Sequence, residues 1–339
     1  MNKGTVSNRI IKRSIIKHIA RTDVTNAGVG IDYSVLDETA SRFAIIAAEG
    51  FSEISPDMAY IRGVNNLAMS GASPDKMMIT LIAAPETSEQ TLRDIMHRFT
   101  DISREQGVAI IGGNTVFAGE SSSFCNISVT LFGKTLIERR KKLLEKVKAG
   151  DKLVIIGEAG RYGASLICSK KREELRKRFS ESYLEGILNP EGPSHSASDI
   201  ESLSLTDIAS KLIDAGAIYL HDVSFGGIYR TLVEMSEYTG LGVDILHEKI
   251  PILQSTIELS EFYNINPYQL LGTGAMVAAF PEEKEDSIKS LLTSEGIIYD
   301  VAGVFTTDKS RVVHSENYHM SRSLGFYESD EIYKVLSAV

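Results

Sequence analysis

Cysteine is scarce: Cys125 and Cys168 are the only two in 339 residues, and they stand at no metal-ligand spacing. That excludes a disulfide-stapled fold and suits two buried thiols in a reducing compartment. No apolar run reaches the ~18–20 residues that a membrane-spanning helix requires. The basic N-terminus, MNKGTVSNRIIKRSIIKHIA, lacks the continuous apolar core and cleavage site of a signal peptide, so a cytoplasmic protein is expected. Positive charge is also short. Lys and Arg number 36 against 45 Asp and Glu, a net charge of -9, which argues against nucleic acid or an anionic membrane as the main partner. A local basic pocket for a phosphate remains allowed. A P-loop is missing too: GKT at 133–135 has Ser128 where the pattern needs glycine, and the residues between read as strand. No short tandem repeat is present.

What is there is an ordinary globular composition, 43% hydrophobic and 24% charged, in a chain long enough to favour two domains. Residues 7–20 carry an apolar helical face capped by Ser7, and FAIIAAEGF (43–51) starts as a buried strand. Ser55 and Pro56 open a helix that runs to Ala72 through two adjacent amides, Asn65 and Asn66, and a run of small residues. Amides and glycine lower helix propensity, so the small residues point to a close approach by something else. Strands KMMITLIAA (76–84), VAIIGG (108–113) and FCNISVTLFG (124–133) follow, with a helix between the first two that opens on a Thr87–Gln90 capping box and stops at Gly107. The charged stretch 137–151 reads as a connector, dividing the chain into residues 1–148 and 149–339.

The second half restarts with strand KLVIIG (152–157) and GEAGRYGAS, whose glycines suit a phosphate nest or a plain tight turn about equally. Residues 170–204 read as a mobile loop. Then come strand AIYLHDV, a polar turn, and a helix opened by Gly226 and Gly227. Strands and helices alternate in both halves, giving an α/β or α+β class. His221 beside Asp222 is either an acid–base pair or a turn-forming aspartate with its neighbour; the pair His314 and His319 is poorly spaced for metal and reads as loop. Four modest segments, GIDYSVLD (30–37), AAEGF (47–51), VNNLAMSGA (64–72) and GGNTVF (112–117), bring polar and small residues to strand ends and helix starts, the pattern of a domain building a site.

Taken in order with GDKLVIIGEAGRYGAS, HDVSFGGIYRTLVEMSEYTGLGVDI and GTGAMVAAF, these segments resemble the aminoimidazole-ribotide synthetase (PurM-like) superfamily over about residues 5–310, its HypE-like, AIR synthase-related members above all. The resemblance implies an N-terminal domain that supplies strands to a β-barrel formed across a homodimer and a C-terminal α/β domain. It also implies ATP with Mg²⁺ in the interdomain cleft and phosphorylation of an amide- or acid-type acceptor. Matched residue by residue, it assigns Asp32 and Glu49 to metal and Asn65, Asn66, Gly112, Gly113, Asn114, Thr115, Gly226 and Gly227 to nucleotide, with Asp222 catalytic. The chain departs from the pattern where Ile31, Asn66 and Asn114 replace acidic residues. A non-catalytic nucleotide or metabolite binder is therefore the competing reading. No cysteine precedes Cys125, as selenophosphate synthesis would need, and the ending EIYKVLSAV lacks the terminal cysteine of a carbamoyl carrier.

Overall fold

The computed structural model describes residues 8–19, 28–37, 42–53, 55–118, 125–189, 199–325 and 329–336. Helix α1 (Asn8–Ser14) is followed by the first-domain elements β1 (Ser34–Asp37), β2 (Phe43–Ser52), α2 (Pro56–Ala68), β3 (Ser73–Ala83), α3 (Glu89–Gln106), β4 (Ala109–Phe117) and β5 (Asn126–Leu136). Helix α4 (Ile137–Lys142) begins the connection to β6 (Lys152–Ile156). Beyond it lie α5 (Arg161–Lys170), α6 (Arg172–Leu175), α7 (Glu181–Leu188), α8 (Ile200–Leu203), α9 (Thr206–Ala215), β7 (Tyr219–Val223), α10 (Gly227–Thr239) and β8 (Gly242–Leu246). The chain continues through α11 (Gln254–Tyr263), β9 (Ala275–Phe280), α12 (Glu285–Ser294), β10 (Tyr299–Thr306), β11 (Arg311–Ser315), β12 (Met320–Ser323) and α13 (Ile332–Val335).

Two mixed sheets result. The first runs β1-β2-β5-β3-β4, antiparallel except for the β3–β4 pair; the second runs β12-β11-β8-β10-β6-β9-β7, antiparallel except for β8–β11. The first sheet is open, with no closed barrel among the described residues, because β1 and β4 are its two free edges. One face is dry: Ile46, Leu131 and Leu81 pack under α2 and α3 against Ile61, Leu67 and Phe99. The alternate residues of the same strands, Phe43, Ile45, Phe51, Met78 and Ile82, remain exposed.

Helix α2 begins as its sequence dictates. The Ser55 hydroxyl accepts from Met58 N at 3.2 Å, and Pro56 occupies the first turn. Its backbone lies directly on β2: a Cβ at Gly50 would stand 2.0 Å from Ala59 O and 2.4 Å from Gly63 N. The small residues after it serve a second approach. The helix stops at Ala68 rather than Ala72, and Ala68 and Met69 pack with Ala209, Leu212 and Ile213 of α9. A bidentate Arg139–Asp214 pair, with Nη2···Oδ2 at 2.6 Å, flanks the same seam.

Other boundaries move for local reasons. The cap of α3 is Ser88, accepting from Thr91 N at 3.0 Å, one residue past the expected Thr87. Residues 170–204 are not one loop, because Ser180 caps α7 and apolar Leu175, Leu184 and Ile187 are buried; only 190–198 lie outside the described residues. The connector 137–151 opens as helix α4. GKT at 133–135 lies within β5, as strand.

Asn65 fastens the two halves. Its Nδ2 donates to Leu203 O at 3.0 Å, and its Oδ1 accepts from Leu205 N at 3.0 Å, all buried. Asn65→Ala orphans both backbone groups, so it is expected to destabilise the protein by about 2–4 kcal/mol. Urea denaturation of the variant checks this; a midpoint matching wild type would show the clamp to be idle.

Candidate functional site at the domain junction

Strand β7 is an edge of the second sheet and carries His221 and Asp222 to the first domain. The loop before β1 brings Asp32 to meet them. Asp32 Oδ2 lies 3.2 Å from His221 Nδ1 and accepts from Asp222 N at 3.3 Å. Asp222 Oδ1 lies 3.7 Å from the same Nδ1, which also donates to Asp222 O at 2.9 Å. On the far side of the ring, Glu234 of α10 places Oε2 3.3 Å from Nε2. That approach is off the line of a hydrogen bond, so the contact is ionic. Arg230 Nε donates to Glu234 Oε1 at 2.9 Å, and Arg230 Nη2 reaches Asn8 Oδ1 of α1 at 3.2 Å. A chain of charge thus runs from the N-terminal helix to the junction.

Burial alone disfavours a protonated His221, but Asp32, Asp222 and Glu234 outweigh it and hold the imidazolium well above the ordinary imidazole range. Burial also works against the Glu234 carboxylate, yet His221 and Arg230 draw it down to about 2. Asp32 goes the other way: burial, with Asp222 and Glu234 nearby, raises it to about 6 despite His221.

A cavity of about 580 Å³ opens between the domains beside this cluster, with Asp32, Tyr33, Tyr219, Tyr238, Arg140 and Lys146 in its walls. The Tyr219 hydroxyl donates to Gly30 O at 2.6 Å, and its ring sits 4.9 Å from that of Tyr238. Burial lifts the Tyr33 phenol to about 12, against the pull of Arg140. The lining offers tyrosine rings, the cations Arg140 and Lys146 and the carboxylates Asp32 and Glu145. Such a combination suits a planar group bearing an anionic tail.

The structure brings together Asp32 and Asp222, and it sets Asn66 against Glu49 through a 2.8 Å bond from Nδ2 to Glu49 O. The Glu49 side chain itself points to the exposed face, where Thr130 donates to it at 3.3 Å. Gly112, Gly113, Asn114 and Thr115 lie elsewhere. They stand on β4, separated from β2 by β5 and β3, three strand spacings or about 14 Å. The amide of Asn65 is spent on backbone. Gly227 answers a packing need: a Cβ there would meet Tyr268 O at 2.6 Å and Leu270 O at 2.7 Å. Gly226 N donates to the Asp330 carboxyl group at 2.6 Å, so that helix start is already occupied by an acidic side chain of its own chain. Glu234, Arg230 and Arg140 were not visible as site residues in the sequence; the i, i+4 spacing of Arg230 and Glu234 was the one available signal.

A pair of carboxylates from opposite domains fits a divalent cation carried with a phosphate ligand. The imidazole nitrogen between them is not a donor that magnesium favours. Among the described residues no helix is long and apolar enough to cross a membrane.

Two mixed sheets enclosing an acidic interdomain cleft, without a P-loop, define a two-domain PurM-like protein. The chain matches the AIR synthase related protein N-terminal domain over residues 57–135 and the corresponding C-terminal domain over 148–315; it belongs to the AIR synthase-related family. A protein of Methanocaldococcus jannaschii described as a hydrogenase expression/formation protein is 22% identical, covering 91% of this chain and 90% of that one. The crystal structure of hydrogenase maturation protein HypE in complex with ATP superposes with a TM-score of 0.67 at 19% identity, covering 98% of both chains. HypE in its complex with HypF superposes with a TM-score of 0.64 at 21% identity, over 88% of this chain and 94% of that one.

Proposed function

We propose that this HypE-like chain binds ATP with Mg²⁺ in the interdomain cavity and transfers a phosphoryl group to an acceptor of its own. The observation that carries the reading is the juxtaposition of that cavity with carboxylates from both domains, Asp32 in its wall and Asp222 beside it. Tyrosine rings accommodate a base, and Arg140 and Lys146 meet phosphate charge. Asp32 and Asp222 face the cation that travels with the nucleotide. The ATP complex of a HypE of the same fold supports the choice of nucleotide. Calorimetry with ATP, with and without Mg²⁺, tests binding, and ADP release tests turnover. Magnesium-dependent binding with release is the expected result.

A second reading, a binder without turnover, is favoured by Ile31, Asn66 and Asn114, which leave the first domain with fewer anionic donors than the family pattern. Binding without ADP release under any acceptor-free or acceptor-supplied condition would decide for it.

We also propose that the working unit is a homodimer formed through the open face of the first sheet. Phe43, Ile45, Phe51, Met78 and Ile82 are 36–48% exposed there, apolar side chains on one sheet face of the kind that a second copy would cover. Sedimentation at micromolar concentration is expected to show a dimer of the 37.1 kDa chain, and a lone monomer would reject it.

A further inference from the structure

We propose that Arg62 and the start of α10 form a buried oxyanion site for a carboxylate or phosphate group of the acceptor, and that Asp330 occupies part of it as a displaceable stand-in. The inference rests on the phosphoryl-transfer reading only in calling the ligand an acceptor, and it gives that acceptor a negative charge.

Three observations carry it. The first is the unpartnered edge of Arg62, a residue only 6% exposed. Its Nη1 donates to Phe51 O at 2.7 Å, but Nε and Nη2 are buried and have no hydrogen-bond partner among the described residues. Those two nitrogens are the parallel pair with which a guanidinium grips a carboxylate or phosphate. Arg139 uses the same pair on Asp214, at 3.0 and 2.6 Å. Leaving that edge unpaired in a buried guanidinium is costly, and a bidentate anion would offset the cost.

The second is position. The Arg62 guanidinium lies over the ring of Phe225, with Cζ 4.1 Å from the centroid, and Phe225 directly precedes Gly226. The 13-residue helix α10 starts just beyond, with Gly226 at its cap, and the N–H groups of such a helix start attract negative charge. A guanidinium and a helix N-terminus from opposite domains thus favour the same kind of ligand at one place.

The third is the group already there. Asp330 Oδ2 accepts from Gly226 N at 2.6 Å, and Oδ1 accepts from Ile332 N at 2.7 Å and Leu271 N at 3.3 Å. Its oxygens mark positions that the oxygens of a ligand can take. Arg62 attracts Asp330 through space, yet no hydrogen bond joins Nε or Nη2 to it. Burial lifts the Asp330 carboxyl to about 7, against the three N–H groups and Arg62, so at neutral pH it carries only part of a charge. A ligand that stays ionised and also reaches Arg62 has the advantage. The element behind Asp330 is slight: α13 is a single turn, held by Ile332, Val335 and Leu336.

The main titrations use neither ATP nor Mg²⁺. Inorganic phosphate and acetate are titrated by calorimetry into the full chain as wild type, Asp330→Ala, and Asp330→Ala combined with Arg62→Gln, with Arg62→Gln alone as the folding control. Removing the Asp330 carboxyl should tighten binding of at least one anion by about 10–100-fold, and adding Arg62→Gln should abolish the gain. The anion that gains more names the group, phosphate or carboxylate. Asp330→Asn, which keeps a side chain against the three N–H groups, should show no gain. If Asp330→Ala fails to fold alone, it is refolded with each anion present, and recovery that Arg62→Gln removes gives the same answer. Unchanged affinity in Asp330→Ala, a gain that survives Arg62→Gln, or no recovery with either anion overturns the proposal. ATP with Mg²⁺ is added last: expulsion of the anion would give the site to the phosphates of the nucleotide and overturn its assignment to an acceptor. A chain that binds no ATP would sink the reading of the previous subsection and leave the anion titrations as they stand.

Discussion

Replacing Glu234 with alanine is expected to cost about 3–5 kcal/mol of folding stability, the penalty for stranding buried cations. Glu234 stands between His221 and Arg230, at 3.3 Å from one and 2.9 Å from the other, and its side chain is only 15% exposed. Removing it takes from the Arg230 guanidinium its carboxylate partner and leaves the imidazolium to Asp32 and Asp222 on its other edge. Urea denaturation at neutral pH measures the loss, and an unchanged midpoint would show that the cluster contributes nothing to the fold.

The pH dependence follows from the same group of residues. Glu234 is depressed to about 2, so its contribution is complete above the ordinary carboxylate value and disappears as pH falls through about 2. His221 is raised, so its contribution is complete below the ordinary imidazole value and disappears as pH climbs through its elevated one. Asp32, raised to about 6, acts oppositely: it lowers stability as pH rises from its ordinary value of 3.8 to about 6. In Glu234→Ala the alkaline loss governed by His221 should begin at lower pH than in wild type, because one of the charges sustaining the imidazolium has gone.

The second large effect is on ligand. Asp222→Asn is expected to weaken magnesium-dependent ATP binding by about 1–3 kcal/mol, the value of a charge-assisted contact, and to suppress turnover. Its fold should survive. Gly226, not Asp222, stands at the cap of α10, and its N–H is met by Asp330, so the structural duty of Asp222 is confined to its neighbours at the junction. Calorimetry beside a thermal melt separates the two outcomes. Full affinity and turnover in a folded Asp222→Asn protein would remove it from the site.

Why was part of this legible in the sequence? Local rules placed α2 from Ser55 and Pro56, because an N-cap and its proline act within one turn. Periodicity placed the strands, because one buried face imposes alternation along each. His221 and Asp222 were visible as a candidate pair because they are adjacent in the chain. Their partners were not. Asp32 is 190 residues from Asp222, and Glu234 reaches the ring only because α10 folds back beside β7. Asn65 and Asn66 are indistinguishable as letters, yet one is a buried interdomain clamp and the other donates to β2. Helical rotation of about 100° per residue turns them to different neighbours, and which neighbours those are depends on the second domain. Gly227 of SFGG, read by resemblance as nucleotide-facing, also admits the backbone of Tyr268 and Leu270, a demand that no local pattern announces.

The Asn65 clamp makes the two halves of the chain poor candidates for separate inheritance. Leu203 O and Leu205 N sit in one half, and the amide that satisfies them sits in the other. Recombination that paired this second domain with a foreign first domain would have to supply an amide at the same point of the same helix, or leave both groups dry. The pair is thus bound to evolve together, and chimaeras cut at the connector should fail at this seam before they fail in the cleft.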